Sequence, residues 1–304
     1  MIRTNRFILA LIRRVTTPII EHSGNAPSII PSPHIHNNHF SSAISIDPDG
    51  QLDKNTIIAF RKLHLQYDNV FNPVFGVYND ASGPVRASLN FGAVKPPSTK
   101  PKLPYYHRGN MQKLQESADN LENLGVLAKP EDLGVVVKFA SPSFLVEKAE
   151  KESRFVTSFV ELSQYTNIPP TTSSTCDEVL RTLSSFKFII KTDLTKSFFQ
   201  IPLSKSSIPY LGIVTPFKGL RVYTRSAMGM PGSSEFLKEL LSRVFGQYLT
   251  EGFIVIKDDD MYIGASSPTE LLTNWHKILD RLKQNNLYLS ACKTVIALRR
   301  TTIF

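Results

Sequence analysis

A chain of 304 residues, 41% of them hydrophobic, is about two domains' worth of length and ample for a buried core. Its 35 Lys and Arg against 26 Asp and Glu leave a formal charge of +9, a field that attracts polyanions, and for such a chain the usual polyanion is nucleic acid. The two cysteines, Cys176 and Cys292, argue against a disulfide framework and a four-ligand zinc site, and no apolar run approaches the roughly 18 residues of a bilayer span, so no membrane partner is expected.

Residues 23–45 are rich in Pro, Ser, Asn and His and lack an apolar period, which predicts a largely disordered N-terminal segment over 1–53. His34, His36 and His39 have no carboxylate or thiol beside them and read as solvated side chains. Asp47-Pro48-Asp49-Gly50 is not a calcium loop, because the twelfth position would be Thr56 where a bidentate Glu is needed. From Lys54 to Phe71 the recurrence of Ile57, Phe60, Leu63, Tyr67 and Val70 predicts an amphipathic helix. The proline-rich connector that follows, ending at Lys95–Pro104, predicts a boundary, so 54–104 reads as a second unit and 105–304 as a third. A helix is predicted from Asn110 to Leu124, stopped by Gly125. Short β-rich runs follow at Val135–Phe139, Ser143–Lys148, Arg154–Phe159 and Phe186–Thr192, with helices at Ser233–Leu249 and Pro268–Asn285. Strands and helices alternate irregularly, which predicts an α+β layer and not a doubly wound sheet.

Two places carry chemistry. Phe188-Ile189-Ile190-Lys191-Thr192-Asp193 ends an apolar strand in a carboxylate, where burial disfavours the charge unless a cation compensates it. Further on, Asp258-Asp259-Asp260 sits between two apolar runs, the pattern of a hairpin with its acids at the turn. Three adjacent carboxylates fit either a solvated acidic turn or an all-oxygen site for Mg²⁺ or Mn²⁺. Asp193 could complete such a site, because a sheet can bring two distant strand ends side by side.

Several further segments stand in a fixed order around these acids: Ser141-Pro142-Ser143-Phe144-Leu145-Val146-Glu147-Lys148, Arg154-Phe155-Val156-Thr157, Thr192-Asp193-Leu194-Thr195-Lys196-Ser197-Phe198-Phe199-Gln200, Thr215-Pro216-Phe217, Met228-Gly229-Met230-Pro231-Gly232 and Leu289-Ser290-Ala291-Cys292-Lys293. With them, from about Leu103 to Ile303, the chain resembles the reverse transcriptase region of LTR-retrotransposon Pol polyproteins of the Gypsy-like and retroviral lineage. The resemblance implies the α+β fingers and palm of a right-hand polymerase, with an antiparallel palm sheet backed by helices, ending before the thumb. It implies an RNA-directed DNA polymerase that joins a dNTP to a primer 3′-hydroxyl on an RNA or DNA template with Mg²⁺ or Mn²⁺.

Residue by residue, the resemblance makes Asp193, Asp259 and Asp260 the metal ligands and catalytic acids, and Lys293 the lysine that protonates pyrophosphate. It places Lys148 and Arg154 on the triphosphate, and Met228 and Gly229 along the nucleotide pocket. Phe198 becomes the aromatic that excludes a 2′-hydroxyl, which argues against an RNA-directed RNA polymerase; the alternative for it is a plain core aromatic. Lys191, Lys196, Lys205, Lys218, Arg221 and Arg225 form a basic palm region, available to template and primer phosphates or simply solvated. Asp258 departs from the family, which places an apolar, small or aromatic residue there, and a carboxylate against the primer end is expected to repel phosphate. The alternative expectation is a truncated, catalytically inactive copy that only binds nucleic acid.

Overall fold

The computed structural model describes residues 39–98, 108–148, 151–168 and 175–298, with backbone alone at 108, 147, 148 and 151–153. His34 and His36 lie outside the described residues.

Six α-helices and eleven strands occur among these residues. In chain order they are β1 (Ser45–Ile46), α1 (Lys54–Gln66), α2 (Arg108–Asn123), β2 (Leu127–Ala128), β3 (Ala140–Ser141), β4 (Ser143–Lys148), β5 (Lys151–Thr157), α3 (Val160–Ser163), α4 (Cys176–Ser184), β6 (Phe188–Asp193), β7 (Gly212–Thr215), β8 (Gly219–Tyr223), α5 (Ser233–Glu251), β9 (Ile254–Lys257), β10 (Asp260–Ala265), α6 (Pro268–Gln284) and β11 (Val295–Leu298). They form a five-stranded sheet in the order β1-β11-β6-β10-β9, a four-stranded sheet β2-β8-β7-β3 and the hairpin β4-β5. The mixed α+β class is therefore as expected.

The large sheet carries the acids. Its central strand β6 pairs antiparallel with β10 from Phe188↔Ala265 to Asp193↔Asp260, so the register places the last residue of one strand opposite the first of the other. One sheet face packs on the main core, to which α6 contributes Leu271, Trp275, Ile278, Leu279 and Leu282, a stripe at helical spacing. The opposite face holds Tyr262, packed with Val179 and Leu183 of α4. Gly264 of β10 sits under the Phe186 ring, which a Cβ would overlap. Gly264→Ala is expected to lower the stability by about 1–3 kcal/mol, read as a lower urea midpoint; an unchanged midpoint would mean that the ring moves aside without cost.

Four expectations differ from the structure. Residues 39–53 are tied into the fold: Phe40–Ala43 form a 3₁₀ turn whose amides at Phe40 and Ser41 donate to Asp68, and β1 pairs parallel with β11. Local composition carries no trace of this, because the order comes from partners outside the segment, Asp68 some 27 residues on and β11 some 250 residues on. The first helix stops at Gln66; Tyr67 leaves helical geometry, and Asp68, engaged with the Phe40–Ser41 amides, opens a separate 3₁₀ turn through Phe71. Val135–Phe139 is not a strand. The amides of Lys138 and Phe139 both donate to the Pro209 carbonyl, so ladder pairing with β7 begins only at Ala140. Among the described residues no separate core divides 54–98 from the rest, since Phe60, Phe71 and Tyr78 share one core with Phe188 and Trp275.

Helix α4 was not anticipated. Its signal is Thr175-Cys-Asp-Glu178, a capping box in which the Thr175 hydroxyl accepts from the Glu178 amide and the Glu178 carboxylate accepts from the Thr175 amide.

Candidate active site

The β9–β10 hairpin turns through two residues, Asp258 and Asp259, between the paired Lys257 and Asp260. Asp258 takes a left-handed conformation with φ +56°, which its short polar side chain tolerates better than most. The turn separates the three acids. Asp258 points outward, its side chain 63% exposed, with Lys257 Nζ 3.6 Å away. Asp259 lines a cleft of about 490 Å³. Asp260 is drawn to the adjacent strand: Lys191 Nζ lies 3.0 Å from its Oδ2, which also accepts from the Tyr262 hydroxyl at 3.2 Å. Burial works against the Lys191 charge, but the Asp260 carboxylate outweighs it and raises the lysine's pKa.

Asp193 enters the same cleft from the end of β6. Its side chain is 5% exposed, and Oδ2 accepts from Lys293 Nζ. Burial raises the Asp193 pKa; Lys293 opposes the rise, and the charges of Asp259 and Asp260 add to it. Oδ1 is buried and accepts no hydrogen bond. An orphaned carboxylate oxygen in a cleft that holds a second carboxylate suits a hard divalent cation, whose ligands are oxygens. Among the described residues no three or more His, Cys, Asp or Glu side chains are gathered as a ready cation site. Two carboxylates that leave coordination positions to other oxygens are the usual protein share of a Mg²⁺ site.

The remaining cleft walls come from the fingers and from the segments around β6. Arg154 and Phe155 of β5 line it, as do Lys196, Phe198 and Met228. Phe198 also packs on the main core, in keeping with its reading as a core aromatic. Gly229, with φ +80°, forms the turn behind Met228 that leads to α5. Lys148 ends β4, and its side chain lies outside the described residues.

Of the six cations expected to form a basic palm, four are committed within the fold. Lys191 pairs with Asp260, Lys218 with Asp119 and Glu122, and Arg221 with Glu122. Arg225 is half-buried, donates to the Gly76 and Phe199 carbonyls, and has its pKa lowered by burial. Lys205 is exposed, and Lys196 is the one that reaches the cleft.

Sequence reasoning did not find Ser117, Asn120 and Leu121 of α2, nor Thr157 and Tyr223, all of which line the cleft. All but Thr157, which ends the Arg154–Thr157 segment on β5, carry no motif of their own, and only the packing of α2 and β8 brings them there.

An acid-bearing hairpin beside a central strand that ends in Asp, with a two-stranded hairpin lining the same cleft, is the fingers-and-palm arrangement of a right-hand polymerase. Residues 146–303 match the family described as reverse transcriptase (RNA-dependent DNA polymerase), and the chain belongs to that family. Among solved structures it is similar to the foamy viral protease-reverse transcriptase in complex with dsDNA, with TM-score 0.72 and 17% identity over 91% of this chain and 55% of that one. It is also similar to the foamy viral protease-reverse transcriptase in complex with an RNA/DNA hybrid, with TM-score 0.69 and 19% identity over 81% of this chain and 32% of that one. The chain thus spans about a third to a half of the length of these structures.

Proposed function

We propose that this chain supplies the fingers and palm of an RNA-directed DNA polymerase of an LTR retroelement, transferring a nucleotide from a dNTP to a primer 3′-hydroxyl on an RNA or DNA template. One observation carries the reading: Asp193 from the end of β6 and Asp259 from the β9–β10 turn enter a single cleft that also receives Arg154, Phe198 and Met228. Asp193 and Asp259 would hold Mg²⁺ or Mn²⁺, with Asp260 in support. The bound ion would supply positive charge where the 3′-hydroxyl is activated and pyrophosphate departs. Arg154 offers a forked guanidinium to triphosphate oxygens, with Lys148 the second cation of the clamp. Lys293, bonded to Asp193, stands where it can donate a proton to the leaving group. Phe198 closes the sugar side of the cleft, which favours deoxynucleotides. Met228 lines the cleft, with the Gly229 turn following it. The fold's likeness to polymerases solved with an RNA/DNA hybrid and with dsDNA supports a template–primer partner.

A second reading, a fragment that binds nucleic acid without polymerising, is favoured by the Lys191–Asp260 ion pair, because a carboxylate committed to an ammonium is a weaker cation ligand. Primer extension on an RNA template separates the two. Wild-type chain should incorporate deoxynucleotides in preference to ribonucleotides, and Phe198→Ala should narrow that preference roughly 10- to 100-fold. Primer–template binding without incorporation, with Mg²⁺ and Mn²⁺ both supplied, would favour the second reading.

A further inference from the structure

Beneath the cleft lies a chain of three buried hydroxyls. Ser143 Oγ and Thr157 Oγ1 are 2.8 Å apart, and Thr157 Oγ1 and the Tyr223 hydroxyl are 2.8 Å apart. The three residues are 1%, 5% and 2% exposed. Burial raises the Tyr223 pKa strongly, so the phenol stays protonated and remains a donor. Its ring packs at 6.0 Å, tilted, against Phe159 just beyond β5.

The position of this chain gives it its meaning. Ser143↔Thr157 is the first rung of the β4–β5 hairpin, while Tyr223 ends β8 and pairs with Leu127 in the other sheet. Three residues along β5 from Thr157 stands Arg154, opposite Val146. The hydroxyls therefore join the root of the fingers hairpin to a strand of the four-stranded sheet, and Thr157 and Tyr223 share the cleft wall with Arg154. A small change of angle at the first rung is carried along the strand to the guanidinium. Hydrogen bonds fix direction as well as distance, whereas an apolar contact at the same place would let the hairpin tilt.

We propose that Tyr223 and Thr157 are positioning residues which set the angle of the β4–β5 hairpin, and so the reach of Arg154 toward the triphosphate of the incoming nucleotide. The proposal rests on the polymerase reading for its kinetic consequence and on the fold alone for its mechanical one. Neither residue touches the reacting atoms, so their loss acts on nucleotide capture and leaves the chemical step intact.

Tyr223→Phe removes one hydrogen bond and Thr157→Val removes two, both nearly keeping shape; the Thr157–Tyr223 bond lost in each is a change of about tenfold in an equilibrium constant. In single-nucleotide incorporation, each should raise the KM for dNTP about 5- to 10-fold with kcat within about twofold, and Thr157→Ser should restore the wild-type KM. Unchanged KM in both variants, or a fall in kcat with KM unaltered, would overturn the proposal. Hydrogen exchange on the same proteins reads the mechanical part without any activity. Faster exchange confined to 143–157 in Tyr223→Phe supports the anchor, and exchange identical to wild type overturns it. Should the wild-type chain fail to incorporate nucleotide, the polymerase reading falls and the exchange experiment still decides whether the hydroxyls hold the hairpin.

Discussion

Asp193→Asn is expected to lower nucleotide incorporation by about a thousand-fold or more while leaving the fold at least as stable as wild type. The activity loss follows from removing one of two carboxylates in the cleft, where several kcal/mol of charge stabilisation are at stake. The stability follows from the direction of the carboxyl's shift. Burial raises the Asp193 pKa, so in the metal-free protein the folded state binds the proton more tightly than the unfolded chain does. Its contribution to stability is therefore present at low pH and is lost as pH rises through the folded value. At neutral pH the charged form is a burden that Asn, of the same shape and neutral, does not carry. Lys293, 65% exposed, loses a partner but remains hydrated. Thermal melts in chelator, paired with incorporation in Mg²⁺, should show the two properties moving independently. A lower melting temperature in Asp193→Asn would mean that the Lys293 pair stabilises more than burial costs.

The largest effect on stability is expected at Trp275, at the centre of α6 and fully buried. Trp275→Ala should cost about 3–5 kcal/mol, by lost burial and by the cavity left behind. Part of the loss is polar: the indole Nε1–H donates to His64 Nε2 at 2.9 Å. The bond requires that nitrogen to be unprotonated, and burial among Phe60, Phe71 and Trp275 lowers the His64 pKa to about 4. The folded state thus binds a proton less readily than the unfolded chain, whose histidine titrates near 6.5. The stability this histidine contributes is present above about pH 6.5 and falls by about 1.4 kcal/mol per unit as pH drops toward 4. Urea midpoints across that range should decline in wild type and flatten in His64→Phe. Parallel pH profiles in the two proteins would show that other groups dominate the acid response.

How far the sequence spoke depended on whether a feature was local. The stripe of α6 and the end of α2 are written in neighbouring residues, with Gly125 left-handed just past its helix. The carboxylates were legible for the same reason, since a hairpin needs only two short apolar runs around its turn. Local reading could not show how the turn deals out its three acids. Asp258 faces solvent beside Lys257, Asp259 faces the cleft and Asp260 faces Lys191, and only strand register decides this. The same limit hid the ion pairs that occupy Lys218 and Arg221, whose partners Asp119 and Glu122 lie on α2. It hid β1 as well, a two-residue strand whose partner is the last strand described.

In single-turnover incorporation on an RNA template with Mg²⁺, Asp259→Asn should abolish product, whereas Asp258→Asn should match or exceed wild type because a solvent-facing charge has been removed. Loss of activity in Asp258→Asn with Asp259→Asn spared would contradict the assignment of Asp259, and with it the site built on Asp193.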